Sequence, residues 1–224
     1  MPEATPLQVA SEAFIRYLRD VRQLSPHTVS NYQRDLAGLQ RFCADRGSSD
    51  PVRLHESDIR AWVSQLRRQG LASSSIQRAL SALRSFFNYL GREQGHTRNP
   101  AAAVQAPRQP RRLPRALDTD QVNRYLQFSD DLTARRDSAM AELFYSSGLR
   151  LAELAAINLG DIDRHEQLLT VTGKGRKTRT VPVGSVALAA LDRWLEVRPA
   201  STDPALFLSR RGTRVSARTI QDRL

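Results

Sequence analysis

Two short segments hold the residue types most able to do chemistry. One is Ser147-Gly148-Leu149-Arg150-Leu151-Ala152-Glu153-Leu154; the other is Gly173-Lys174-Gly175-Arg176-Lys177. Of 34 basic residues in the chain, 32 are arginines, and the only two lysines, Lys174 and Lys177, both sit in the second segment. A cation that needs only to be positive can be either residue. A group that must release a proton cannot be arginine, whose guanidinium stays charged in proteins. The count therefore marks the loop for general-acid chemistry, with a solvated surface charge as the plain alternative. Arg150 also has a plain reading, in which it caps the carbonyls of the preceding helix and pairs with Glu153 three residues on.

A phosphate-cradling P-loop is excluded. Gly173 to Thr178 lacks the required spacing, and the next residues are strand-like and contain Pro182 where a P-loop needs a helix. Four scattered histidines and one cysteine give no metal-ligand pattern, and no cofactor is expected. Cys43 excludes an internal disulfide and lies on an apolar helical stripe, as a small core residue does. The formal net charge of +11 points first to a polyanion such as nucleic acid, with a membrane surface as competitor. No apolar run approaches the length of a spanning helix, and the N-terminus lacks the regions of a signal peptide, so a cytoplasmic location is expected.

The elements that must carry these residues read as follows. Residues 1–97 form a helical domain: Leu7 to Leu24, a second helix begun by Ser25-Pro26, a third holding Ile59, Trp62, Val63 and Leu66, and a fourth after Ser73 to Ser75. The fourth repeats Ile76, Leu80, Leu83, Phe87 and Leu90, and between them runs the polar stripe Gln77, Ser81, Arg84 and Asn88. Such a stripe is either a solvated face or a set of side chains for base edges in a major groove; Asn31 and Arg34 on the second helix lie on a comparable polar face. Residues 98–117 are a linker stiffened by Pro100, Pro107, Pro110 and Pro114, with Arg108, Arg111 and Arg112 placed to lie on phosphate. Residues 118–224 mix helix and strand. A helix capped by Asp118 runs to about Gln127, and another from Thr133 to Ser147 ends on Gly148 as a left-handed cap. Leu168–Thr172 and Lys177–Val183 make a hairpin around Lys174, a helix spans 185–198, and a last helix capped by Ser216 carries Arg218 and Gln221.

Several segments occur in the order seen in Xer-type tyrosine recombinases. They are Arg-Gln-Leu-Ser-Pro-His-Thr at 22–28, Tyr32 to Leu36, Ser81 to Phe87, Asn99-Pro100, Ser147 to Leu154 and Gly173 to Lys177. The chain resembles that family over essentially its whole length, with the N-terminal pattern, Ala205 to Ser209 and Ser216 to Arg218 nearest its XerC branch. The resemblance implies a mostly α protein: an N-terminal four-helix, SAM-like DNA-binding domain, then a mixed α/β catalytic domain with a small antiparallel sheet. It implies that Arg150 contacts the scissile phosphate, that Lys174 is the general acid on the leaving 5′ oxygen, and that Glu153 supports them. Arg176, Lys177, Arg218 and Gln221 fall where DNA contacts are expected. No metal or nucleotide is implied. The partners implied are double-stranded DNA, a XerD-like recombinase in a heterotetramer, and an FtsK-like translocase, in chromosome dimer resolution.

One departure is large. The family's second catalytic arginine, its histidines and its nucleophilic tyrosine lie in a C-terminal segment, whereas these 224 residues have no His-x-x-Arg pattern and no tyrosine after Tyr145. A truncated catalytic domain is expected. The alternative is a non-catalytic DNA-binding regulator or competitor on the same clamp, with a phage-type integrase as near neighbour of the first reading.

The 224 residues are expected to bind duplex DNA without nicking it. Affinity should fall with salt at a log–log slope near −0.9 per neutralised phosphate. A mobility-shift titration with no salt dependence, or a covalent protein–DNA adduct, is the outcome that overturns this.

Overall fold

The computed structural model describes residues 4–107, 121, 129, 131–173, 175 and 177–224. The chain divides into two units, Met1–Leu113 and Pro114–Leu224.

The first unit is helical. Helix α1 (Pro6–Arg16) starts from Thr5, which forms a capping box with Gln8, and has proline at its first position. It does not run on to Leu24 as a single α-helix: Tyr17–Val21 is a π-helical turn in which the Arg22 N–H reaches back to the Tyr17 carbonyl at 2.9 Å. The wider turn keeps Leu18 buried and Leu24 packed against the core. Helix α2 (Pro26–Ala44) is capped by the Ser25 side chain, α3 (Glu56–Arg68) starts with Asp58 Oδ2 accepting the His55 N–H at 2.9 Å, and α4 (Ser73–Gln94) ends on Gly95 with φ +69°. Their apolar stripes meet in one core holding Phe14, Leu36, Leu39, Ile59, Trp62, Leu80, Leu83, Phe86 and Leu90, all essentially out of water. Cys43 lies in this core, and burial pushes its thiol up to about 11, which makes it inert at neutral pH.

Helices α2 and α4 are also joined by charge: Arg78 bonds the buried carboxylate of Asp35 and, at 3.4 Å, the Asn31 carbonyl. Burial raises the pKa of Asp35 while Arg78 opposes the shift. The start of the expected linker packs back on the same unit. Ala101 and Val104 are buried, because Arg84 donates Nε to the Ala101 carbonyl at 3.1 Å and Nη2 to the Val104 carbonyl at 2.6 Å. Asn99 adds a bond to the Arg84 carbonyl. Linker residues 108–117, with Arg108, Arg111 and Arg112, lie outside the described residues, as does the helix expected from Asp118 apart from Gln121.

The second unit is built around a three-stranded antiparallel sheet in the order β1 (Ile162–Asp163), β2 (Leu168–Thr172), β3 (Thr178–Pro182). Helix α5 (Leu132–Ser147) is capped by Asp131 and ends on Gly148 at φ +55°, in the left-handed conformation expected of it. The short α6 (Leu151–Ala156) follows, then α7 (Ser185–Val197) and α8 (Ala217–Arg223), the last capped by Ser216. Leu169 and Val171 point inward from β2 into a core with Met140, Leu143, Leu154, Trp194, Phe207 and Ile220. Buried Asp137 ties the ends together: Arg136 donates to its Oδ1 at 2.7 and 3.0 Å and Arg223, at the end of α8, to its Oδ2 at 2.6 Å. No helix among the described residues is long and apolar enough to cross a membrane.

Arg84→Ala removes two charge-assisted bonds to backbone carbonyls and should lower the stability of the first unit by about 2 kcal/mol. A urea titration followed by far-UV circular dichroism reads this as a lower midpoint at unchanged slope. An unaltered midpoint would mean that residues 101–104 hold without the staple.

Candidate functional site: two arginines on a buried carboxylate

Gly148 turns the chain out of α5 and places Arg150 at the N-cap of α6. Glu153, at the third helical position, reaches back. Its Oε2 accepts the Arg150 backbone N–H at 2.8 Å and its Oε1 accepts Arg150 Nη1 at 2.7 Å. A capping box made with a glutamate thus fixes both the backbone and the side chain of Arg150. The Glu153 side chain is 2% exposed and that of Arg150 66%, so the acid is a hidden base plate and the guanidinium faces outward.

A second arginine completes the arrangement. Arg179 on β3 donates Nη1 to Oε1 at 2.6 Å and Nη2 to Oε2 at 2.9 Å, a two-pronged pair. Strand pairing puts Arg179 opposite inward-pointing Val171, so its side chain enters on the core face of the hairpin. With Arg179 first among the causes and Arg150 adding to it, the Glu153 carboxyl is held down to about 2. Gly173, at the end of β2, closes the third side: a Cβ there would sit 2.8 Å from Glu153 Oε1 and 3.4 Å from an Nη1 of each arginine. The hairpin turns back just beyond it, with the Gly173 N–H bonded to the Lys177 carbonyl at 2.8 Å.

Further bonds register this hairpin on the α5 end. Ser147 Oγ donates to the Pro182 carbonyl at 2.8 Å and Ser146 Oγ accepts the Gly184 N–H at 2.7 Å. Arg214 holds the other end of α6, donating Nη1 to the carbonyls of Ala155 and Ile157 at 3.1 and 3.0 Å.

Of the residues singled out by sequence, the structure brings Arg150 and Glu153 together. Lys174 and Arg176 lie outside the described residues; Lys177 is exposed beside that loop. Arg218 is exposed on α8 and paired with Asp222 at 3.0 Å, with Gln221 also exposed. In the first unit, Arg34 donates to Asn31 Oδ1 at 3.3 Å, Gln77 and Ser81 are exposed, and Ser81 Oγ bonds the Gln77 carbonyl. The stripe is not a free reading face throughout. Arg84, expected to offer its fork to a base edge, spends Nε and Nη2 on Ala101 and Val104, and Asn88 Oδ1 accepts from Asn99 Nδ2 at 2.8 Å. Arg179 and Arg214 are not among the residues singled out by sequence. Strand alternation places Arg179 inward, opposite Val171, but nothing in the sequence names its partner; Arg214 carries no signal.

The sequence matches the N-terminal SAM-like domain of phage integrases over residues 12–94 and the phage integrase family over residues 115–224. It is 47% identical over 218 residues to a tyrosine recombinase XerC of Alcanivorax borkumensis, covering 94% of this chain and 70% of the relative. The chain belongs to the phage integrase family of tyrosine recombinases. A XerC of Pseudomonas aeruginosa is 44% identical over 95% of this chain and 72% of its own length. Among solved structures, the Tn1549 transposon integrase in complex with circular-intermediate DNA superposes with a TM-score of 0.78 at 18% identity, over 97% of this chain and 75% of that one. A lambda integrase tetramer bound to a Holliday junction gives 0.76 at 20% identity, over 96% and 63%. These likenesses establish the recombinase fold.

Because the folded-state pKa of Glu153 is depressed, its charge stabilises the fold fully above the ordinary carboxylate range, and that contribution is lost as pH falls toward about 2. Urea melts should show the second unit losing stability between roughly pH 5 and pH 2, with a shallower loss in Glu153→Gln over the same window. Parallel profiles would place the acid-sensitive group elsewhere.

Proposed function

We propose that this protein acts in site-specific recombination of duplex DNA as a XerC-like recombinase, cutting and rejoining through a 3′-phosphotyrosyl intermediate. The observation that carries the proposal is the outward-facing Arg150 fork fixed on buried Glu153, in a chain 47% identical to a XerC. Attack of a tyrosine oxygen on a phosphodiester builds charge on the non-bridging oxygens and on the departing 5′ oxygen. Arg150 neutralises the first with free donors of a planar fork. Lys174 protonates the second, a role typically worth about 10²–10⁴ in rate. The energy of the broken bond is retained in the phosphotyrosyl link, so rejoining needs no nucleotide. These 224 residues supply the DNA grip and the phosphate clamp, and no nucleophile is assigned among Tyr17, Tyr32, Tyr89, Tyr125 and Tyr145.

The biological setting we propose is the cytoplasm, with chromosome dimer resolution as the task in cell division and chromosome partition. A XerD-like recombinase completes a heterotetramer on DNA, under an FtsK-like translocase. The lambda integrase tetramer on a Holliday junction is the precedent in fold for four subunits sharing one DNA substrate. Arg108, Arg111, Arg112, Arg176, Lys177, Arg218 and Gln221, with Asn31, Arg34, Gln77 and Ser81 in the first unit, are the proposed DNA contacts.

The test is a chimaera of this chain with the C-terminal portion of the Alcanivorax borkumensis XerC, cutting a XerC recombination site. Lys174→Arg should keep DNA binding and slow cleavage sharply, because a guanidinium does not give up its proton. Replacing the bridging 5′ oxygen by sulfur should restore that variant, since a thiol with a pKa of about 8.5 leaves unaided. Arg150→Ala should stay slow on both substrates. If sulfur fails to rescue Lys174→Arg, or rescues Arg150→Ala equally well, the division of roles is wrong.

A further inference from the structure

The Arg150–Glu153 pair taken alone poses an electrostatic difficulty. One carboxylate against one guanidinium sums to zero, and a neutral pair is a poor partner for a phosphate. Arg179 changes the sum: two arginines on one carboxylate leave a net single positive charge, and the exposure decides where it is presented. The Arg179 side chain is 37% exposed and has both Nη groups committed to Glu153, whereas that of Arg150 is 66% exposed and commits one. The surplus charge faces outward through Arg150.

The hairpin meets this carboxylate on two arms. Arg179 approaches from β3, and Gly173 closes from β2 with too little room for a Cβ. Lys174 follows Gly173 directly in sequence. One buried carboxylate is therefore the reference point for both the Arg150 fork and the base of the lysine loop.

We infer that Arg179 is a positioning residue for the recombination chemistry: by clamping Glu153 with two prongs it fixes the Arg150 fork, frees the positive charge of that fork for phosphate, and sets the hairpin against it. The functional part of this assignment rests on the role proposed for Arg150; the clamp itself does not. Arg150 at the N-cap of α6 and Arg179 from β3 are the charged groups that hydrogen-bond Glu153 among the described residues, and Arg179 is the larger cause of its low pKa.

The 224-residue chain itself, labelled for arginine side-chain and carboxyl NMR, provides the test. In the unsubstituted chain rotation of the Arg150 guanidinium should be slow and the Glu153 carboxyl should titrate near 2. Arg179→Ala should speed that rotation by roughly tenfold or more, the equivalent of losing one charge-assisted bond, and move the carboxyl midpoint up toward the ordinary range. Arg179→Lys separates charge from fork: it should keep the midpoint low while still freeing Arg150. Gly173→Ala should free Arg150 with Arg179 intact. If Arg150 rotation is unchanged in Arg179→Lys, the positioning role is refuted, whatever Gly173→Ala does and whether or not Arg179→Ala folds. The recombinase reading is judged separately, since an unsubstituted chimaera that cuts no DNA would sink that reading and leave the NMR result standing.

Discussion

A carboxylate taken out of water survives as a charge only if its lone pairs are met by donors, and Glu153 meets four: an N–H of the backbone, one Nη of Arg150 and both Nη groups of Arg179. Those donors come from the loop after α5 and from strand β3, which no local interaction would bring together. The second unit is arranged around keeping them in reach. Gly148 reverses the chain so that Arg150 begins a new helix, Ser146 and Ser147 bond the far end of β3, and Arg214 holds the C-terminal carbonyls of α6. Removing any one donor leaves the others, but the carboxylate then pays more for its burial, and the geometry of an exposed arginine depends on it.

The first unit follows a different logic. Its helices are set by apolar periodicity and caps, and two arginines of α4 hold neighbouring segments: Arg78 toward α2, Arg84 toward residues 101–104. Arg84 shows why a polar stripe does not translate directly into a binding face. A guanidinium that stands next to two free carbonyls gains more from them than from water. Of the same stripe, Gln77 and Ser81 stay exposed, and Ser81 Oγ bonds the Gln77 carbonyl of its own helix.

What could be read from sequence follows the range of the interaction. Caps, apolar stripes and the left-handed Gly148 are local, and Ser25, Ser216 and Gly148 stand where their residue types require. Glu153 was legible as a partner of Arg150 because the two are three residues apart on one helix start. Arg179 is 26 residues from Glu153 and Arg214 is 59 from Ala155, so neither spacing carries a signal; only folding decides them. The π-helical turn at Tyr17–Val21 was hidden for another reason: its apolar residues keep a helical rhythm while the hydrogen bonds slip by one. Lys174 stood out by composition alone, as one of two lysines among 34 basic residues.

That compositional bias has a structural side. Many of the arginines serve as internal connectors. Arg84 bonds two carbonyls, Arg136 a carboxylate and the Leu208 carbonyl, Arg198 the carbonyls of Asp203, Ala205 and Leu206, and Arg214 those of Ala155 and Ile157. An ammonium offers a point charge on a flexible stem and cannot bridge separated acceptors in one plane, so lysine at these positions would leave carbonyls unmet. The count of 34 basic residues consequently overstates the cations free to meet phosphate, and the salt dependence of DNA binding should report a smaller number. A position that must part with a proton is one where the planar, permanently charged fork is the wrong tool, and Lys174, the proposed general acid, lies in the loop where this chain departs from arginine.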